Sequence, residues 1–236
     1  MAVVASLSGL WRTIAGKEHI PETGAELHNL VARCNAGQPQ DVSFYNLRFV
    51  LLDTETTGLR PDAGDRIIAV GGVEIVNAKI GGNTFTTLVD PGREIPAKAS
   101  AITGIRDEHV RGHPAFEEIL PRLLEFLAAG VITGYNIQFD LMFINNVLRS
   151  KGGPPLNPAV TLDVLSICRA LKPGARDYSL EVMAREYAIP VHDRHTALGD
   201  ALITARLLLC LLPELENRGV RTLRDLNYFL RYRALF

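Results

Sequence analysis

Residues 47–56 read LRFVLLDTET, a short and mostly apolar run that ends in two carboxylates. A run of this kind suits a strand buried on both faces, and such a strand needs packed layers above and below it. The flanking pattern supplies those layers. IIAVGGVEIVN and KIGGNTFTTLVDP follow as two β-rich runs, and their junction near Asn77 to Lys79 predicts a hairpin. Helical spacing then covers Phe116 to Ala129 and stops at Gly130. VITGYN reads as another buried strand, followed by a helix from about Ile137 to Arg149. AVTLDVLSICRAL reads as a strand running into a helix, and SLEVMAREYAI and ALGDALITARLLLCLL as two further helices. Strands in front of alternating strands and helices predict an α/β fold, a mixed sheet with helices on both faces.

The ends read differently from this middle. Residues 1–45 form a helical N-terminal extension in this reading, with apolar spacing through Val3, Leu7, Leu10, Trp11 and Ile14. The spacing recurs over Gly24 to Ala36 through Leu27, Leu30 and Val31. Residues 46–212 make the main domain. Residues 213–236 form a helical tail carrying Arg218, Arg221, Arg224, Arg231 and Arg233 beside Tyr228, Phe229 and Tyr232, read as a docked terminal helix.

Charge limits what the chain can do. The net charge of −1 over 236 residues gives no global positive field to draw in nucleic acid. That argues against a passive binder wrapping many phosphates, so local arginines or bound metal must supply any attraction. Cys34, Cys168 and Cys210 are odd in number and lack CxxC spacing, as expected of buried thiols in the cytoplasm. No secretory signal is expected from MAVVASLSGLWRTIAG. The apolar stretch Ala201 to Leu212 contains Arg206 and is too short for a membrane span.

Three clusters carry the chemistry. Asp53 and Glu55 are two apart on a strand, so both point to one face and repel unless a cation lies between them. Gly58 lets the chain leave that strand sharply. In GYNIQFD, Asp140 falls in the first turn of the helix after the second buried strand. In HTALGDA, His195 and Asp200 cannot share a helical face. They converge only if Thr196 caps the helix and His195 lies in the preceding loop. Clustered carboxylates suit hard cations such as Mg²⁺ or Mn²⁺, and histidine is the side chain that exchanges protons near neutral pH.

DTETTG, NxxFD and HxxxxD in this order closely resemble the motifs of the DnaQ-like (DEDD) exonucleases, which include the proofreading subunit of bacterial replicative polymerase. LVDPGREIPAKASAITGIRDEHV is similar to the segment that joins the first two motifs in that family, and the resemblance runs from Leu47 to Leu212. It implies a ribonuclease H-like sheet and 3′→5′ hydrolysis of phosphodiester bonds. By motif position, Asp53, Glu55, Asp140 and Asp200 would be the acids holding two divalent metal ions, with Asp53 bridging, and His195 the general base. The histidine marks the DEDDh branch; the sister branch has tyrosine where this chain has Thr196.

The same resemblance implies that Thr54, Thr57 and Gly58 hold the terminal nucleotide, with Thr57 near its 3′ hydroxyl, and that Asn136 and Phe139 contact substrate. Phe139 is equally readable as core. Arg194, next to His195, is readable as a phosphate contact, but a solvated loop arginine is the preferred reading. Tyr135 departs from the pattern, since many relatives have histidine there; this bears on substrate preference. The implied substrate is a single-stranded or frayed 3′ end, with a polymerase subunit as a possible partner and no membrane. An RNA-trimming enzyme and a non-catalytic scaffold are the alternatives. His19, His28, His109, His113 and His192 have no ligand spacing and receive no role.

Overall fold

The computed structural model describes residues 24–157 and 161–233. The helix expected over Val3 to Ile14 lies outside them. In chain order the helices and strands are α1 (Gly24–Asn35), β1 (Arg48–Thr56), β2 (Ile67–Val76), β3 (Lys79–Leu88), α2 (Ala97–Thr103), α3 (Asp107–Val110) and α4 (Phe116–Leu127). They continue with β4 (Val131–Gly134), α5 (Ile137–Ser150), β5 (Thr161–Asp163), α6 (Val164–Leu171), α7 (Leu180–Glu186), α8 (Ala197–Glu216) and α9 (Leu223–Arg233). The sheet has five strands in the order β3-β2-β1-β4-β5. β1 runs antiparallel to β2 and parallel to β4, so the sheet is mixed.

β1 is buried on both faces, as its apolar run requires. Phe49 and Leu51 point into a core shared with α6, α7, α8 and α9. Val50 and Leu52 point into a second core shared with α1, α4 and α5. Helices therefore cover both faces. The β2–β3 hairpin turns at Asn77 and Ala78, both left-handed at φ 51° and 55°, in a two-residue loop whose twist matches the strands. Alanine in that region costs about 1 kcal/mol, which the paired strands outweigh.

α1 packs through Leu30, Val31 and Cys34, and the Cys34 thiol donates to the Leu124 carbonyl at 3.3 Å. At the other end, α8 runs through Pro213 to Glu216, so the boundary expected after Leu212 falls inside a helix. The chain turns at Gly219 and α9 docks through buried Leu223 and Leu226. A bridge between Ser43 and Thr222 ties it beside the start of β1. α2 and α3 were not expected. They have seven and four residues, too few to show a helical period in the sequence. Among the described residues, no helix is long and apolar enough to cross a membrane.

Candidate active site

The carboxylates meet at the C-terminal end of β1, which itself carries Asp53 and Glu55. Asp53 and Glu55 continue the alternation of Phe49 and Leu51 and so face α8. α8 begins directly over the sheet because Gly71 of β2, paired in register with Asp53, has no side chain. A Cβ there would collide with the backbone of Ala197 and Leu198. Thr196 is the N-cap of α8, its hydroxyl accepting from the Gly199 N–H at 3.1 Å. That start places Asp200 one turn into the helix, 6% exposed. Side-chain oxygens of Asp53, Glu55 and Asp200 then lie within 4.8 Å of one another.

Asp140 arrives from the other face. Thr54 has the parity of Val50 and Leu52, and it donates its hydroxyl to Asp140 Oδ1 at 2.7 Å. Asp140 is buried and stands outside the group of three, but its charge reaches Asp53. Four acids thus converge on one strand end, three as a cluster and one tethered beside it.

Such crowding makes ionisation costly. Burial pushes the Asp53 carboxyl well above the usual carboxylate range, and the charges of Asp140, Asp200 and Glu55 push it further. Burial lifts Glu55 to about 7, with Asp200 adding and Arg194 opposing. Burial also lifts Asp140 to about 7 against the hydrogen bonds from Thr54. Asp200 is raised by burial, while Arg194 and His195 pull it back. Asp200 Oδ1 is buried with no hydrogen-bond partner among the described residues. An idle carboxylate oxygen amid carboxylates that resist ionising fits a divalent cation.

The turn before α8 presents both a base and a cation. Asp193 and His195 are left-handed at φ 60° and 61°, costing about 1 kcal/mol or more each. Thr196 holds the turn, donating its hydroxyl to the Asp193 carbonyl at 2.7 Å and its N–H to the same oxygen at 3.2 Å. His195 is exposed, and its imidazole is close enough for its charge to act on Asp200. Arg194 corrects an expectation: it is not a solvated loop arginine. It turns inward and pairs through Nη1 with Asp200 Oδ2.

The exonuclease family model matches residues 50–208, a span that contains all four acids and the histidine. The chain belongs to the exonuclease family. It is 40% identical over 179 residues to a DNA polymerase III subunit epsilon-like protein of Rhodobacter capsulatus, covering 75% of this chain and 25% of that protein. It is 36% identical over 171 residues to DNA polymerase III subunit epsilon of Rickettsia typhi, covering 70% and 74% respectively. The chain therefore spans only a quarter of the first relative's length. Exonuclease X in complex with 5′-overhanging duplex DNA shares the fold at TM-score 0.59 and 24% identity, covering 77% of this chain and 99% of that one. The mixed sheet is thus the ribonuclease H-like exonuclease fold.

Within this exonuclease domain the remaining expected residues lie on the loop after β1 and at the start of α5. The Thr57 hydroxyl accepts from the Arg66 N–H at 3.0 Å and donates to Asp65 Oδ1 at 3.3 Å, anchoring the loop after β1. Gly58 is needed for room and not for a sharp left-handed exit, since a Cβ would strike the Asp65 carboxylate. Leu59, next along, is 74% exposed. Asn136 is left-handed at φ 64°, and its N–H donates to Asp163 Oδ1 at 2.8 Å. Phe139 is half-buried, its ring 5.1 Å from that of Phe143. The Tyr135 hydroxyl donates to the Tyr178 carbonyl.

Sequence reasoning missed two supporting residues. Asp163 caps α6, accepting from the Leu165 N–H at 3.2 Å and the Ser166 hydroxyl at 2.7 Å, while it fixes Asn136. Its place at a strand-to-helix junction was a capping signal. Gly71 was signalled by a glycine pair inside a strand, which marks close backbone approach.

Proposed function

We propose that this chain is a divalent-metal-dependent 3′→5′ exonuclease that removes nucleoside monophosphates from the 3′ end of single-stranded or frayed DNA. The observation that carries the reading is the group of Asp53, Glu55 and Asp200 within 4.8 Å, with Asp200 Oδ1 left without a hydrogen-bond partner among the described residues. Asp53, Glu55, Asp140 and Asp200 would hold two ions, Mg²⁺ or Mn²⁺. Such ions, when bound, supply electrostatic stabilisation of the attacking and leaving oxygens.

The chain's own residues do the rest. Asp53 lies between the others in charge terms, coupled to all three acids, and is assigned as the shared ligand. Thr54 keeps Asp140 ionisable by donating to its carboxylate. His195, exposed at the rim, takes a proton on an imidazole nitrogen as water attacks phosphorus and the 3′ oxygen departs. Leu59 and the half-buried face of Phe139 offer apolar surface to a terminal base, and the backbone from Thr54 to Gly58 and the turn at Asn136 flank it.

Similarity to proteins named as epsilon subunits supports a proofreading role beside a polymerase. Buried Cys34 and Cys168 support a cytoplasmic location. The test is digestion of a 5′-labelled single-stranded DNA oligonucleotide and its RNA twin, with Mn²⁺ or Mg²⁺, by wild type and Asp53→Ala. A DNA ladder from wild type alone is expected. Preference for the RNA twin would make the chain an RNA-trimming enzyme. No cleavage of either strand by folded, metal-supplied protein would leave a scaffold.

A further inference from the structure

The acid cluster has a cation of its own. Arg194 Nη1 is paired with Asp200 Oδ2, the two side chains being 21% and 8% exposed. The pair is poorly completed on both sides. Among the described residues, Arg194 Nε is buried with no acceptor and Asp200 Oδ1 is buried with no donor. A guanidinium reaches its best energy when its planar fork meets both oxygens of a carboxylate or phosphate, and this one does not. Breaking a buried pair by removing one partner is nonetheless costly, because the survivor is an uncompensated charge. An arrangement of this kind is tolerable when both partners have better partners waiting.

The backbone around Arg194 supports a built feature. The residues on either side of it, Asp193 and His195, are both left-handed without being glycine. The Asp193 carbonyl is clamped by the hydroxyl and N–H of Thr196 and lies so close to Gly199 that no Cβ would fit there. Strain held this firmly sends the side chain of Arg194 inward to Asp200 while His195 stays exposed. The charge of Arg194 reaches past Asp200 to Asp53 and Glu55 as well.

We propose that Arg194 is the resident counter-ion of the acid cluster, held on Asp200 in the metal-free protein and transferred to a phosphate of the bound strand when a divalent cation takes Asp200. The inference rests on the reading of the cluster as a metal site. It assigns one arginine two successive partners of like charge, a carboxylate and then a phosphate. Metal entry and strand binding are thereby coupled, since the ion releases the residue that grips the strand.

The test titrates Mn²⁺ by calorimetry into the metal-free full chain, without nucleic acid, for wild type, Arg194→Ala, Arg194→Gln, Arg194→Lys and Asp200→Asn. Loss of the competing charge in Arg194→Ala or Arg194→Gln should tighten Mn²⁺ binding by about tenfold, a usual size for coupling between two ligands. Arg194→Lys should return the affinity towards wild type. The metal-free melting temperature of Arg194→Ala should fall below wild type, with the gap closing as Mn²⁺ saturates. On an oligonucleotide, Arg194→Ala should raise KM more than it lowers kcat. Mn²⁺ affinity unchanged or weakened in Arg194→Ala and Arg194→Gln, while Asp200→Asn loses binding, would overturn the counter-ion role and leave the metal site standing. Wild type and Asp200→Asn binding Mn²⁺ equally weakly would overturn the metal site itself.

Discussion

Replacing Asp53 with asparagine should make the metal-free protein more stable while abolishing its metal binding. Side-chain oxygens of Asp53, Glu55 and Asp200 lie within 4.8 Å of one another. Two full charges at that separation repel by about 3 kcal/mol at an effective dielectric constant near 20. The cluster relieves part of this by keeping protons, Glu55 and Asp140 being lifted to about 7 and Asp53 well above its usual range. Arg194 offsets another part. The repulsion left for a neutral amide to remove is therefore about 1–2 kcal/mol at pH 8, or roughly 2–8 °C in the melting temperature of a chain this size.

The effect has a sign in pH. Unfolded carboxylates ionise near pH 4, whereas the folded acids hold protons up to about 7. Between those limits the folded state binds more protons than the unfolded state, so stability falls as pH rises through the window and then levels off. Asp53→Asn removes one such raised group, so its advantage should be absent near pH 4 and present at pH 8. Thermal melts in EDTA at both pH values measure it. A variant that melts below wild type at pH 8, or gains equally at pH 4, would refute the electrostatic account. Adding Mn²⁺ should invert the order, raising wild type and leaving Asp53→Asn unmoved.

Other substitutions separate the supports of the site. Gly71→Ala drives a methyl group into the backbone of Ala197 and Leu198. It should cost about 1–3 kcal/mol in urea unfolding and weaken Mn²⁺ binding by displacing Asp200. Thr54→Val removes the 2.7 Å donor to Asp140 and should cost about 1.5–3 kcal/mol at pH 8, less at pH 5 where the carboxyl is protonated. Asp163→Ala uncaps α6 and frees the left-handed Asn136 turn, for a loss of about 1–2 kcal/mol by urea titration and a raised KM on oligonucleotide. His195→Ala should keep Mn²⁺ affinity by calorimetry while losing about 100-fold or more in kcat, the usual reach of a general base.

The elements legible in the sequence were those whose period or parity is rigid. β1 could be read because a strand buried on both faces must be apolar almost throughout. The same alternation that sends Phe49 and Leu51 to the α8 side sends Asp53 and Glu55 there too. The mismatch between five residues and a helical turn required His195 to precede the helix, and Thr196 is indeed the N-cap. Parity also explains Thr54, which lies between the two acids in sequence yet faces α5 and meets Asp140. That contact could have been anticipated from the alternation alone.

What stayed hidden depends on approach between segments far apart in the chain. Gly71 matters because α8 lands on it, and nothing within β2 says where a helix that starts at residue 197 will cross. The inward turn of Arg194 goes with two flanking non-glycine residues, Asp193 and His195, in left-handed conformation; both types tolerate it better than most, yet a pair of them is uncommon, and the Thr196 clamp holds it. Propensity describes what a segment does when its surroundings are indifferent. Around Asp200 they are not, because the gathered carboxylates favour a cation beside them, and Arg194 supplies one. The strained turn and the acid cluster meet in the Arg194–Asp200 pair. The departure from sequence expectation at Arg194 and the chemistry at Asp200 share that one contact, where local preference gives way to the site.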